Sequence, residues 1–384
     1  MTFSALAAEL AELEARGLRR TRRPLQSPQA PRVTVGGATY VAFCSNDYLG
    51  LASDPRLARA VQQAVETEGV GAGASHLVLG HSEAHGALEH ALARFVGLPR
   101  ALLFSTGYMA NIGAITALAG REDAVFADRL NHASLNDACL LSRAQCRRYA
   151  HADVNALAAL LERTRARRKL IVTDAVFSMD GDIAPVAALL ELAERYDAWL
   201  YLDDAHGFGV LGAGRGVLTH LGVRSPRIIY MGTLGKAAGT FGAFVAGESA
   251  LVEFLIQRAR TYIYTTALPP VLSRATLKSL ELIETEQWRR DHLMKLIHLL
   301  KQGTALRNWR LLDSDTAIQP LVIGDNAAAV AVSDRLAERG LLVPAIRPPT
   351  VPPGSARLRI SLSAAHSEAD VARLTESLNA LARQ

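Results

Sequence analysis

The sequence predicts an α/β protein with a large domain, whose mainly parallel sheet is covered by helices, a smaller C-terminal α/β domain and an N-terminal arm. From about residue 40 to 250, short apolar runs alternate with helical patterns. The runs are continuously apolar, which is typical of strands buried on both faces of a parallel sheet. The 384 residues can form two cores. We expect an arm over 1–45, a large domain over 46–285 and a small domain over 286–384.

The arm begins with apolar residues at helical spacing, which predict a helix that ends near Gly17. These residues are Phe3, Leu6, Leu10 and Leu13. The segment has no basic start and contains glutamates, so we expect no signal peptide.

Six apolar runs predict the strands of the large domain. They are Ala101–Phe104, Ala124–Ala127, Leu170–Val176, Trp199–Leu202, Ile228–Met231 and Phe244–Ala246. Helical patterns lie between them, including His85–Val96 and Pro185–Tyr196. The stretch Ala101–Gly120 carries no charge over twenty residues, which is long enough for a membrane span. Ser105, Thr106 and Gly107 interrupt it, so we interpret it as a buried strand, a turn and a helix.

The C-terminal part follows Pro269-Pro270 with a long amphipathic stretch towards Leu300. The small domain is then predicted to contain two strands and two helices. In chain order these are strand Ile318–Ile323, helix Ala327–Arg339, strand Arg357–Leu362 and helix Glu368–Leu381.

The formal net charge is only +5, and much of the basic surplus lies in two runs, Arg16–Arg23 and Arg163–Lys169. Such runs are usually solvated faces or local anion sites, so we expect no nucleic-acid partner. The cysteines, Cys44, Cys139 and Cys146, form no C-x-x-C pair. Neither a disulfide framework nor a cysteine zinc site is indicated, and we expect a reducing, cytoplasmic location without membrane association.

Polar residues follow the predicted strands where ligands bind in such sheets, beyond the carboxyl ends. Ser105-Thr106-Gly107-Tyr108 opens a helix, and free amides at a helix start suit a phosphate, although an ordinary strand-to-helix turn would have the same sequence. Asp203 ends a buried strand, and His206 follows three positions later. No third ligand has recognisable spacing, so we expect no metal.

Three familiar motifs are incomplete or absent in the sequence. Gly232–Lys236 resembles a phosphate-binding P-loop, but Tyr230 and Ala237 occupy positions that the motif reserves for other residues. His81 and His85 have the spacing of a zinc protease pair, yet the glutamate between them is displaced by one position. No G-x-G-x-x-G follows the first strand, which counts against a nucleotide-binding oxidoreductase.

What remains is a phosphate site, an acid, a histidine and Lys236, each at the exit of a buried strand. A lysine among glycines and apolar residues is expected to have a lowered pKa and to act as a nucleophilic amine. An acid that protonates a heterocyclic nitrogen would complete the apparatus for pyridoxal 5′-phosphate (PLP), an electron sink held as a Schiff base. Each signal is weak alone, but together they are specific.

Seven segments along nearly the whole chain resemble the α-oxoamine synthases. They are SNDYLGL (Ser45–Leu51), GVGAGASHLVLGHSEAHGALE (Gly69–Glu89), NHASLNDA (Asn131–Ala138), FSMDGDIAP (Phe177–Pro185), DDAHGFGVLG (Asp203–Gly212), GTLGKAAG (Gly232–Gly239) and AIRPPTVPPG (Ala345–Gly354). The resemblance implies a PLP-dependent transferase of fold type I, acting as a homodimer with sites at the subunit interface. The chain departs from the family pattern at Ala72, Ala74 and His76, and at Ala237-Ala238.

The resemblance also implies roles for individual residues. Three are catalytic: Lys236 would carry PLP, Asp203 would pair with its pyridine nitrogen, and His132 would stack on its ring, with helix capping as the alternative for His132. The cofactor contacts are expected to come from Gly107, Tyr108, His132, Ser178, Asp203, His206, Thr233 and Lys236, with Thr265 or Thr266 from the other subunit. The expected substrate contacts are Arg19, Asn46, His132, Thr350 and Arg359. Arg357 and Arg359 alternate with apolar residues along the chain. The alternative interpretation for these two arginines is that one of them is simply exposed to solvent.

Within the family, the AIRPPTVP segment, Leu18-Arg19-Arg20 and the compact chain resemble one member, and this resemblance implies a condensation of L-alanine with a pimeloyl thioester of CoA or acyl-carrier protein, in biotin biosynthesis. The alternative within the family is a synthase that uses glycine and a short acyl-CoA, such as a glycine C-acetyltransferase. A non-catalytic scaffold is the remaining alternative, but it would have little reason to keep Lys236, Asp203, His206 and His132 together.

Overall fold

The computed structural model describes residues 3–16 and 18–383. The strands lie, in chain order, at β1 (Arg32–Val35), β2 (Ala38–Ala42), β3 (Arg100–Phe104), β4 (Ala124–Asp128), β5 (Gln145–Tyr149), β6 (Lys169–Asp174), β7 (Ala198–Asp203), β8 (Ile228–Thr233), β9 (Ala243–Gly247), β10 (Arg310–Leu311), β11 (Ile318–Gly324), β12 (Leu341–Leu342), β13 (Ala345–Ile346) and β14 (Ala356–Ser361).

The α-helices are α1 (Ser4–Ala15), α2 (Pro55–Glu68), α3 (Glu83–Val96), α4 (Gly107–Leu118), α5 (Ala133–Ser142), α6 (Val154–Arg163), α7 (Val186–Arg195), α8 (Val217–Leu221), α9 (Ser249–Arg258), α10 (Arg260–Ile263), α11 (Pro270–Thr285), α12 (Gln287–Gly303), α13 (Asn326–Glu338) and α14 (Glu368–Ala382). Two short segments, His76–Gly80 and Gly212–Gly214, form a π-helical and a 3₁₀ turn.

The large sheet has seven strands in the order β3-β9-β8-β7-β6-β4-β5. The five strands from β8 to β5 are parallel, whereas β9 runs antiparallel to both of its neighbours. Successive residues such as Leu102 and Leu103 enter two different apolar clusters. The strands other than the edge strand β5 are therefore buried on both faces, which is why their sequences are mostly apolar. The predicted α/β fold with a mainly parallel sheet is confirmed.

The uncharged stretch from residue 101 forms β3 and α4 within the core, as predicted, and not one long helix. In the part of the chain that the structure describes, no helix is both long enough and apolar enough to cross a membrane. The amphipathic stretch after Pro270 is divided into α11 and α12 at Glu286, whose non-helical ψ of 64° ends the first helix.

The C-terminal sheet has four strands in the order β10-β11-β14-β13, and all neighbouring pairs are antiparallel. Both predicted strands and both predicted helices of this part are present, with small shifts at their ends. Arg357 and Arg359 lie two residues apart on β14 and therefore face the same side of its sheet.

The N-terminal segment combines an exposed helix with a small sheet. No residue of α1 is buried, and Phe3, just before it, is 88% exposed. The helix ends before Gly17, which lies outside the described residues. The hairpin β1-β2 pairs with β12 in a three-stranded sheet, so the end of the predicted arm contacts the C-terminal part of the chain. The proposed domain boundaries stay a prediction.

Candidate active site

Lys236 follows β8, and its side chain points into a buried polar centre. Its Nζ lies 2.9 Å from Nε2 of His206. Burial lowers the pKa of Lys236 to about 8, although Asp203 and Asp174 act against this shift. About a tenth of the amine is therefore neutral at pH 7, far more than for an ordinary lysine, and the neutral form is the one that acts as a nucleophile or a base.

Asp203 ends β7 beside this lysine, and its carboxylate is held on both oxygens. The Asn111 side-chain amide donates to Oδ2 at 2.7 Å, and the Ala205 backbone N–H donates to Oδ1 at 3.0 Å. Asn111 is itself fixed by the Tyr201 hydroxyl, which donates to its Oδ1 at 2.8 Å. The carboxylate is 3% exposed and has a defined orientation, which suits a group that must hold one proton on a bound ring nitrogen.

Asp174 is a second buried carboxylate in the centre. It ends β6 and is the registered partner of Asp203 across the β6–β7 pair. The His132 backbone N–H donates to its Oδ2 at 2.6 Å. Burial and the charge of Asp203 raise the pKa of Asp174 well above its usual range. Two carboxyl groups thus lie at neighbouring strand ends near a single lysine, and the raised pKa of Asp174 favours its protonated, uncharged form.

His132 lies at the N-cap of α5. Its Nδ1 is 2.7 Å from Ser134 Oγ and accepts from the Ser134 backbone N–H at 3.3 Å. In the structure, Nδ1 of His132 therefore caps α5, as the helix-capping interpretation states. Ser134 Oγ also accepts from Asn111 at 2.8 Å, which links His132 to Asp203 through two side chains. Burial lowers the pKa of His132. Stacking on a cofactor ring stays a prediction, and capping leaves the face of the imidazole available for it.

The predicted phosphate site is the first turn of α4. Thr106 caps this helix, and its Oγ1 accepts from the Met109 backbone N–H at 3.1 Å. The amides of Gly107 and Tyr108 come earlier in the helix and have no acceptor within it. A Cβ at Gly107 would lie 3.6 Å from Met231 of β8, so this helix start lies beside the strand that leads to Lys236.

Thr233, the other predicted phosphate contact, is the last residue of β8. It is almost fully buried, and its hydroxyl donates to the Gly242 carbonyl at 3.2 Å. Thr265 or Thr266 is predicted to contact the cofactor bound by the other subunit. In this chain Thr266 forms a β-bridge with Ser75. The role of Thr265 and Thr266 stays a prediction.

His206 connects the lysine to the predicted substrate residues. Its Nδ1 lies 2.6 Å from the Tyr48 hydroxyl, which also contacts Asn46 Oδ1 at 3.1 Å. Arg359 donates to the same Asn46 oxygen at 3.1 Å. Burial, followed by the charge of Lys236, lowers the pKa of His206 well below its usual range. Lys236, His206, Tyr48, Asn46 and Arg359 thus form one continuous hydrogen-bonded chain.

Arg357 and Arg359 are both buried, at 5% and 6% exposure, so the expectation that one of them is solvated is wrong. Their roles differ. Arg357 donates to Asp180 at 2.7 Å, whereas Arg359 has no carboxylate within ion-pair distance among the described residues. Arg359 donates to the Ser178 carbonyl at 2.6 Å and faces Asn46. A buried guanidinium without an acidic partner suits a substrate carboxylate.

Two adjoining cavities lie beside this centre. The first, of about 800 Å³, is lined by His132, Ser178 and Thr350, and Arg129 and Arg148 lie at its wall. The second, of about 650 Å³, shares Thr350 with the first and extends to the N-terminal arm. The first cavity brings His132, Ser178 and Thr350 together, and their roles around the reacting groups stay a prediction.

Arg19 is the one predicted substrate residue that the structure does not bring to this centre. Its guanidinium donates to Glu14 at 2.5 Å and is 51% exposed. Leu18 and Arg20, its neighbours in sequence, line the second cavity instead. In this chain the cationic wall on the arm side is therefore formed by Arg20.

The comparisons with known proteins agree with this geometry. A family model described as aminotransferase class I and II matches residues 38–378. The chain belongs to the aminotransferase class I and II family. A relative from Methylobacillus flagellatus, named 8-amino-7-oxononanoate synthase, is 62% identical over 99% of this chain and 96% of its own length. A relative of the same name from Aromatoleum aromaticum is 61% identical over the full length of both proteins.

Solved structures give the same family. A serine palmitoyltransferase from S. paucimobilis, with bound PLP and myriocin, has a TM-score of 0.93 and 31% identity over 99% of this chain and 97% of that one. An 8-amino-7-oxononanoate synthase from Francisella tularensis has a TM-score of 0.77 and 31% identity over 90% and 98% of the two chains. The resemblance to the α-oxoamine synthases is confirmed, and PLP is the cofactor.

The residues present fit PLP. Lys236 offers a buried amine of lowered pKa, and Asp203 offers a fixed carboxylate one strand away. The first amides of α4 suit the phosphate. Asn111, Asp174 and Tyr48 complete the centre, but sequence reasoning did not single them out. For Asp174 the signal was available, because it is a charged residue inside the otherwise mainly apolar run Leu170–Val176, whose strand pairs with that of Asp203.

Proposed function

We propose that the protein catalyses the decarboxylative condensation of L-alanine with a pimeloyl thioester. The products are 8-amino-7-oxononanoate, CO2 and the free thiol of CoA or of an acyl-carrier protein, and the reaction belongs to biotin biosynthesis. The proposal is carried by full-length identity of about 60% to several relatives that bear the name of this activity. The polar centre around Lys236 supports it with suitable chemistry.

When bound, PLP supplies an electron sink that stabilises negative charge at the Cα of an attached amino acid. The chain's residues then handle the protons. Neutral Lys236, with a pKa of about 8, accepts the Cα proton and can return it at the end of the reaction. Asp203, held by Asn111, keeps the cofactor's ring nitrogen protonated, and this charge is what makes the sink effective.

Arg359 and Asn46 bind the carboxylate of alanine. The Arg359 guanidinium donates to Ser361 Oγ at 2.8 Å and to the Ser178 carbonyl at 2.6 Å. Because these bonds fix the side chain before alanine binds, little side-chain freedom is lost on binding. His132 and Ser178 lie on the wall of the cavity that would receive the acyl thioester, together with Thr350. We assign to His132 the orientation of the condensation product for loss of CO2.

The protein further acts in the cytoplasm as a homodimer with sites at the subunit interface. Several large apolar side chains near the glycine-rich segment are exposed in the single chain, which supports a partner surface there. They include Val70, Val78, Leu79 and Tyr264, each at least 70% exposed. The basic arm would attract the anionic thioester, and no nucleic acid or membrane is needed as a partner.

Product analysis tests the function. The PLP-loaded enzyme is incubated with L-alanine or glycine, and with pimeloyl-CoA, pimeloyl-acyl-carrier protein or acetyl-CoA. We expect 8-amino-7-oxononanoate from alanine and at least one of the pimeloyl donors, with release of CO2 and thiol. Turnover of glycine with acetyl-CoA in preference to that pair would instead indicate a glycine C-acetyltransferase.

A further inference from the structure

Ser178 lies in a tight turn between β6 and α7, which we call the Ser178 turn (residues 177–182). The Phe177 N–H donates to the Asp182 carbonyl at 3.0 Å, and the Gly181 N–H donates to the Phe177 carbonyl at 2.8 Å. Gly181 has a φ of +73°, and a Cβ there would lie 2.6 Å from the Ile318 carbonyl oxygen. Only glycine fits this position, so the path of the turn is narrowly defined.

The C-terminal part of the chain holds one side of the Ser178 turn through its carbonyl oxygens. Arg359 donates to the Ser178 carbonyl at 2.6 Å, and Arg357 donates to the Met179 carbonyl at 3.1 Å. Ser314 and Thr316 both donate to the Gly181 carbonyl. These contacts draw the turn towards β14, and an opposing contact is needed to fix it from the other side.

His151 provides that opposing contact. Its Nε2 lies 2.9 Å from Asp182 Oδ2, and its Nδ1 lies 3.2 Å from Asp128 Oδ1. The ring also meets the Phe177 ring edge-on, with centroids 4.3 Å apart. His151 therefore bridges the first and last residues of the Ser178 turn to the end of β4.

The two carboxylates require a cation between them. Burial by itself would lower the pKa of His151, but the hydrogen bonds to Asp128 and Asp182 outweigh it and raise the pKa to about 10. Asp128 is a fixed anchor, since it also accepts from the backbone N–H groups of Leu130 and Ala152 at 2.8 Å each. At neutral pH an imidazolium thus joins the fixed carboxylate of Asp128 to the carboxylate of Asp182 in the Ser178 turn.

We propose that His151 is a positioning residue that, as a cation between Asp128 and Asp182, fixes the Ser178 turn so that the Ser178 hydroxyl is held at the cofactor. The proposal rests on the proposed function and on the cofactor contact that the family resemblance implies for Ser178. His151 lies outside the cavity that contains Ser178, and it acts only through the turn. Without the cation, Asp128 and Asp182 would repel each other, and the turn would move away from β4.

The experiment combines a double-mutant cycle with a charge rescue. His151→Gln removes the cation, Ser178→Ala removes the hydroxyl, and the double variant tests whether both act on one contact. His151→Arg restores a cation that can pair with both carboxylates. His90→Gln changes an exposed histidine on α3 whose Nδ1 contacts the Gly86 carbonyl, and it serves as the matched control. PLP affinity and the pH dependence of the bound cofactor's absorbance are measured, together with thermal unfolding.

We expect His151→Gln and Ser178→Ala each to weaken PLP binding about tenfold. Both variants should shift the pH midpoint of the bound cofactor's absorbance change in the same direction. The double variant should show little further change, His151→Arg should recover most of the affinity, and His90→Gln should match the unaltered protein. Additive losses in the double variant, or no recovery with arginine, would overturn the proposal. Should His151→Gln not fold, Asp182→Asn replaces it in the cycle and must give the same non-additivity.

These readouts do not use the acyl substrate. If the unaltered enzyme binds PLP but forms no 8-amino-7-oxononanoate, the proposed function fails and the His151 cycle can still be read. If the product forms and the cycle is additive, only the inference about His151 fails.

Discussion

Two arginines, Arg359 and Arg19, were expected to bind substrates, and they differ in burial and in hydrogen-bond partners. Arg359 lies on a central strand of the C-terminal sheet, is 6% exposed and is held by Ser361, Ser178 and Asn46. Arg19 lies on the arm, is 51% exposed and is paired with Glu14. The first has its functional geometry before any ligand arrives, while the second has only a local ion pair.

The comparison shows where the fold itself determines a site. At the strand ends, burial strongly favours polar groups that have a partner, because an unpaired buried group costs about 1–3 kcal/mol. The same requirement produces the defined orientations of Asp203 and Arg359. On the exposed arm no such requirement exists, since a surface ion pair contributes about 0–1 kcal/mol. Its geometry is therefore open to rearrangement by a substrate or by a partner subunit.

The largest expected effect belongs to the buried centre. Lys236→Ala removes the amine that holds the cofactor and moves the Cα proton, so we expect kcat to fall by at least about 10³-fold. Steady-state turnover measures the loss, and borohydride reduction with peptide mapping of the unaltered enzyme identifies the lysine that carries PLP. Circular dichroism should remain unchanged. A label on another lysine, or turnover within tenfold of the unaltered enzyme, would contradict the assignment of the centre.

The second prediction concerns the stability of the cofactor-free protein. The pKa of Lys236 is about 8 in the folded chain, against an ordinary value of 10.5. Between these values the unfolded chain binds the extra proton, so the free energy of unfolding should rise with pH across this window. The rise due to this lysine is about 3 kcal/mol at most. Urea unfolding from pH 7.5 to 10.5 measures it.

Other groups titrate in the same range, so the comparison is made against Lys236→Met. The unaltered protein should gain stability relative to this variant as the pH rises, and the difference between the two curves isolates the lysine. Parallel curves would show that the amine is solvated in the folded chain, and would remove the physical basis for its neutral form.

Arg359→Lys tests the preformed carboxylate site. Lysine keeps the charge but loses the planar pair of donors, and we expect the KM for alanine to rise about 10- to 30-fold with a smaller change in kcat. Arg357→Lys is the matched control, since it changes a neighbouring arginine on the same face of β14 with equal burial. Its partners are Asp180 and Met179, so its effect on this KM should be much smaller. Equal effects would mean that both arginines act only structurally.

The same contrast explains what sequence reasoning could predict. Lys236, Asp203 and His206 were found because each lies within five residues of the end of a buried apolar run, and ligands bind at such strand ends. Asn111 contacts Asp203 and Tyr48 contacts His206 across 92 and 158 residues of sequence. They were missed because local sequence patterns do not reveal contacts between such distant segments. β5 (QCRRY) was missed for another reason. It is an edge strand exposed at four of its five positions, so it lacks the apolar run that marks its neighbours.

The smallest effect is expected on the arm, where two adjacent arginines can be compared. Arg19 is exposed and bonded to Glu14, while Arg20 lines the cavity that adjoins Thr350. Arg19→Ala should change the free energy of unfolding by less than about 1 kcal/mol. If the acyl thioester follows the cavity, Arg20→Ala should raise its KM by a few-fold, and added salt should weaken this effect because the contact is solvated. Steady-state kinetics with a pimeloyl thioester at two ionic strengths compares the variants. A larger increase for Arg19→Ala would show that substrate binding breaks the Glu14 pair and that the resemblance, rather than the unliganded geometry, identifies the arm's contact.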